Sequence, residues 1–221
     1  MVAWGVHTRY VTGEPKTRLR GWIHGIEFCS LSLVLLAGQA HPRSLVFWSG
    51  KLLSCGASAM LHLKPHEALR EYCMWDAIDW GCIPLAALSG CILWTPPHLA
   101  RALAALVFTL IPPISYASWN QAEAYGRKEW AREKVFRRIQ TALQIFVLTV
   151  CAMAQGMECF GVAYLAQLAV YTSGLSLWVL QDTLGAPWHV RQTWGGHEDF
   201  HLCVLIGDLG NYALLASRGR L

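Results

Sequence analysis

Gly195-Gly196-His197-Glu198-Asp199-Phe200-His201 runs straight into the largely apolar segment from Leu202 to Ala216. The two histidines are four residues apart, so on a helix their rings share one face, with Cβ atoms roughly 5–6 Å apart. Ring nitrogens at that spacing can reach a single metal ion, and zinc suits neutral imidazole. Two interfacial histidines at a helix start would show the same spacing. The apolar continuation favours the metal, because ionisable groups that open a membrane-grade helix are costly and usually functional.

The rest of the chain has the same apolar character. Of its 221 residues, 54% are hydrophobic and only 14% charged, where a soluble domain carries about 25% charged residues. Apolar runs cover about 21–40, 44–63, 72–94, 99–116, 139–157, 160–180 and 198–217, punctuated by His41-Pro42-Arg43, Lys64-Pro65-His66 and Thr95-Pro96-Pro97. Each approaches the roughly 20 residues a helix needs to cross a bilayer. The alternation of a lipid-facing barrel is missing, and the Pro112-Pro113 pair reads as a kink within the fourth run. The expected fold is therefore an all-α, multi-pass integral membrane protein. It comprises an arm (1–20), one seven-transmembrane helix bundle (21–217) and a short tail (218–221).

Charge placement adds an orientation. Thirteen of the 18 Lys and Arg residues fall in the arm and in alternate loops, which predicts a cytoplasmic N-terminus and a C-terminus on the opposite side. Clustered this way they are topology signals and leave no nucleic-acid footprint. The segment from Gln121 to Arg138 reads as a solvated cytoplasmic helix. Eight cysteines are scattered through apolar runs with no CxxC, so they read as small buried hydrophobes and not as a disulfide framework or thiolate zinc site. The polar, basic first twenty residues do not read as a cleavable signal peptide.

With that topology, His62 in the last turn of the second run, Asp76 and Asp79 in the first turns of the third, and His197 and His201 share one depth. Three imidazoles plus water make a catalytic-type zinc site with an open position. Zinc lowers the pKa of its water to about 7, and a neighbouring carboxylate can take that proton and return it to a leaving group. Asp79 is the candidate, with Asp76 one turn away as its competitor; Ser58 could hydrogen-bond the water or a substrate oxyanion. The simpler roles are an acid favoured by the helix dipole for Asp79 and a backbone-bonded hydroxyl for Ser58. His24 and Glu27 read as interfacial side chains or supports of the site. Asp208, seven residues after His201, could extend a polar path or pair with Lys51 or Asn211.

Ser58-xxx-His62, Asp79 seventeen residues on, and His197-xxx-His201 together resemble the progestin and adipoQ receptor family, which includes the adiponectin receptors and the hemolysin III proteins. Trp80-Gly81-Cys82-Ile83, Gly196-His197-Glu198-xx-His201 and Arg20-Gly21-Trp22-Ile23-His24-Gly25 are similar to the hemolysin III branch. Leu61 and Pro84 depart from the family pattern. The resemblance implies seven helices and a zinc ion (Zn2+) on His62, His197 and His201, with Asp79 holding the metal water. It also implies hydrolysis of a lipid amide such as ceramide, so membrane lipids are the expected partners.

Two rivals stay open. His197-Glu198-Asp199-Phe200-His201 is literally HExxH, the signature of a metalloprotease whose Glu is the general base. Alternatively the zinc is structural, within a non-enzymatic receptor or a membrane-perturbing, hemolysin-like protein.

Overall fold

The computed structural model describes residues 9, 11, 16–36, 42–94, 96–109, 146, 150, 162–184 and 193–217. They form six helices: α1 (Trp22–Leu36), α2 (Pro42–Leu63), α3 (Leu69–Trp94), α4 (97–109), α5 (Val162–Leu184) and α6 (Gly196–Ser217). The expected run at about 139–157 and the charged segment from Gln121 to Arg138 lie outside the described residues, Phe146 and Val150 excepted.

The seven-transmembrane reading is not sustained. Among the described residues no helix is long and apolar enough to cross a membrane. α6 carries His197, Glu198, Asp199, His201, Asp208 and Asn211 along its length. The expected multi-pass placement and the assignment of the N- and C-termini to opposite sides lose their basis with the spans. Counting apolar letters overstated the case, because many positions in those runs are Gly, Ala, Ser or Trp, and a run of letters need not be one unbroken helix.

α2 packs along both α1 and α3, α5 packs along α6, and α1 also touches α6. The main core sits where α1 to α4 meet, with Leu31, Phe47, Trp48, Cys55, Leu88, Cys91, Leu103 and Val107 all buried. A smaller cluster of Leu61, Tyr72 and Cys73 closes the α2–α3 turn. Pro84 lies inside α3 and is fully buried; the helix runs through it.

Two close approaches set the geometry around the site. Gly21, at φ 91°, turns the arm into α1, and a Cβ there would lie 2.6 Å from the Cβ of His62. Only glycine adopts that φ at no steric cost. On α6, a Cβ at Gly207 would lie 2.5 Å from the Tyr171 ring of α5, so these two helices meet almost backbone to ring.

Candidate metal centre

α6 begins with the glutamate half of a capping box, on a glycine N-cap. The Gly195 backbone N–H donates to Glu198 Oε2 at 2.7 Å, and the Gly195 carbonyl accepts from the N–H groups of Glu198 and Asp199 at 2.9 and 3.1 Å. The cap fixes the first turn and so the direction of the two histidines that follow. His197 Nε2 and His201 Nε2 stand 2.7 Å apart, converging on one point as the i, i+4 spacing predicts.

Two further imidazoles reach this point from other helices. His24 of α1 sits edge-on to His201 with ring centroids 3.8 Å apart, and His62 of α2 stands 5.3 Å from His197. The donor atoms of His24, His197 and His201 all lie within 4.8 Å of one another. Trp178 of α5 walls the cluster, edge-on to His197 at 5.7 Å and stacked on Phe200 at 5.4 Å. Sequence reasoning missed it, since nothing in the chain order ties position 178 to the histidines.

Burial keeps these rings neutral. It pushes the pKa values of His197 and His201 well below the usual range, with Arg20 and the neighbouring imidazoles adding to the effect. Burial, then Lys51, lowers His24 to about 4. Neutral imidazole is the ligating form. Both ring nitrogens of His24 and Nδ1 of His201 are buried without a hydrogen-bond partner, so the donor set and its environment fit a cation.

The remaining candidates are placed less directly. Ser58 and His62 are buried in α2, and Asp76 and Asp79 in α3. Asp76, Asp79 and His62 are all engaged by neighbours. Among the described residues, neither aspartate joins a group of three or more donors within 4.8 Å, and nor does His62.

Glu198 has a different task from the one its motif suggests. It is 1% exposed, accepts a hydrogen bond from Thr17 Oγ1 and pairs with Arg20 Nε at 3.5 Å, while its other oxygen holds the cap. Both carboxylate oxygens are thus committed to fastening the arm onto α6. A metalloprotease needs that carboxylate free as a base, so the HExxH reading loses its support.

A second polar cluster lies further along α1 and α6. Lys51 Nζ pairs with Asp208 Oδ1 at 2.8 Å, the Tyr171 hydroxyl donates to the same oxygen, and Asn211 Nδ2 donates to the Tyr171 oxygen at 3.2 Å. Of the partners open to Asp208, Lys51 is the one it takes. Glu27 contacts Asp208 and accepts from the Cys55 thiol; burial first, then Asp208, raises its pKa to about 8. Compared with protein-family models and with curated proteins, the chain matches none.

Proposed function

We propose that the chain is a zinc-dependent hydrolase whose metal is held by His62, His197 and His201. The observation that carries this reading is the convergence of imidazoles from α1, α2 and α6, those of α1 and α2 buried and the two of α6 half-buried. His24 and His62 compete for the third place. With Zn–N at about 2.0–2.1 Å and tetrahedral angles, two imidazoles on one zinc have centroids about 5 Å apart. The 5.3 Å between His62 and His197 suits that spacing. The same measure sets His24 and His201, at 3.8 Å, and His197 and His201, at 4.3 Å, closer than shared ligation does, so the i, i+4 pair has to open slightly for a metal and His24 has to open further.

Zinc in such a site supplies a water acidified to near neutral pH. Asp79 is the carboxylate we assign to the proton, accepting it from the attacking water and returning it to the leaving amine. Ser58 is assigned as donor to the substrate carbonyl oxygen. A lipid amide of the ceramide kind is the proposed substrate, on the sequence resemblance and on one further observation. Trp22, Ile26 and Leu202, within two residues of His24 or His201, expose 45%, 60% and 39% of their surface, apolar area along which an acyl chain could lie.

The test is metal analysis of purified full-length protein followed by challenge with a panel of lipid amides. We expect zinc, fatty-acid release, and loss of that release in Asp79→Asn with zinc retained. Zinc absent, or undiminished in the His62→Ala, His197→Ala double variant, refutes the assignment. Zinc retained without hydrolysis of any amide leaves the structural clamp as the function of this centre.

A further inference from the structure

The buried cluster below the imidazoles is short of hydrogen-bond donors. His24 Nδ1 and Nε2, Glu27 Oε1, Asp208 Oδ2 and Asn211 Oδ1 are all buried without a partner. An orphaned buried polar atom is costly, and several together in one place mark a missing ligand. Two of these side chains and one neighbour supply different donor chemistries to one spot. An atom each from His24, Glu27 and Cys55 all lie within 4.8 Å of one another, and the three residues are buried.

We infer that His24, Glu27 and Cys55 form a second metal site, distinct from the His62, His197 and His201 centre, that takes a borderline divalent cation of the zinc type. His24 and Glu27 sit three residues apart on α1, where they share a helix face, and Cys55 comes from the facing α2. An imidazole, a carboxylate and a thiolate are a ligand set that zinc accepts and that magnesium and calcium do not. Charge also closes. Glu27 and Cys55 bound as anions balance a divalent cation, while Lys51 is already balanced by Asp208 at 2.8 Å. The buried cluster is then neutral as a whole. Cys55 on its own reads as an inert core thiol, its pKa pushed far up by burial and by Glu27; a coordinating metal removes such a proton outright.

The site also accounts for His24. Its ring lies against His201 with centroids 3.8 Å apart, and its assignment to Glu27 and Cys55 leaves three histidines for the first centre. The inference does not rest on hydrolysis, and it survives failure of the first site.

The experiment loads the full chain with zinc for counting and with cobalt(II) for spectroscopy. Two metal equivalents are expected, with a thiolate-to-cobalt charge-transfer band in the near ultraviolet. Cys55→Ser should abolish the band and lose one equivalent. Glu27→Gln, which keeps the side-chain volume, should lose the same equivalent. His197→Ala should lose the other and keep the band. Thermal unfolding of each metal-free variant establishes that it folds. One equivalent with no thiolate band overturns the proposal, as does a band that persists in Cys55→Ser. A band that persists while no metal depends on His197 supports this site and refutes the first.

Discussion

Two buried polar clusters hold α1 and its approach against α6, and they are satisfied to opposite degrees. At the start of α6, Glu198 is met on every side by Thr17, Arg20 and the Gly195 N–H. Further along, His24, Glu27, Asp208 and Asn211 leave five polar atoms unmet. Arg20 keeps part of its side chain exposed, whereas His24, Glu27 and Asp208 are buried. The difference is in what completes each one. The first is finished by the chain itself and acts as a fastener; the second keeps polar atoms that the chain does not meet.

The largest expected effect breaks the fastener. Glu198→Ala leaves Arg20 without its counter-charge and removes the cap, which should cost about 3 kcal/mol, at the low end for a broken buried pair because Arg20 keeps some water. Denaturant unfolding measures it, and a loss under about 1 kcal/mol would show that the arm is not held by this residue. Glu198→Gln should in addition leave bound zinc unchanged, which a metalloprotease base would also allow, but should leave hydrolysis largely intact, which it would not.

Next in size is the α5–α6 contact that supports the open cluster. Gly207→Ala drives a methyl group into the Tyr171 ring, and that ring is tethered by Asp208 and Asn211 and cannot swing clear. Overpacking of this kind should cost about 1–3 kcal/mol, read as a lowered Tm. An unchanged Tm would mean that the helices separate freely there.

A smaller effect has the opposite sign. His24→Leu removes two orphaned nitrogens, so the metal-free protein should gain about 1 kcal/mol. With saturating zinc the order should reverse, since the variant cannot fill the second site. A variant less stable than the parent in both conditions would return His24 to the ordinary core.

A last effect is a pH slope at the fastener. Burial first, then Arg20, lowers Lys16 from 10.5 to about 8, with Glu198 opposing. Between those values the unfolded chain holds the proton and the folded chain does not. This contribution to stability should therefore rise with pH from about 8 to 10.5 and be absent below 8. Lys16→Met should flatten that limb of the stability curve; an identical curve in the variant would remove Lys16 from the cluster.

The sequence made some of this legible and hid the rest for physical reasons. Helix i, i+4 geometry is local, so the facing pair His197 and His201 could be read directly, as could the helical character of the apolar runs. Membrane spanning could not, because it depends on the apolarity of the whole helix and on which polar groups interrupt it, as His197, Glu198, Asp199, His201 and Asp208 do in α6. What occupies Glu198 is not legible in the sequence, since its partners Thr17 and Arg20 are some 180 positions away in the chain. Cys55 looked like one more small apolar residue until α1 brought Glu27 beside it.

Gly21 ties the two centres to one another. Its missing side chain lets the first turn of α1 rest on the backbone side of His62, while His24 and Glu27 follow within two turns on the same rod. A larger residue at position 21 would press α1 off His62 and shift His24 and Glu27 along with it, so one missing methyl group sets where both clusters stand.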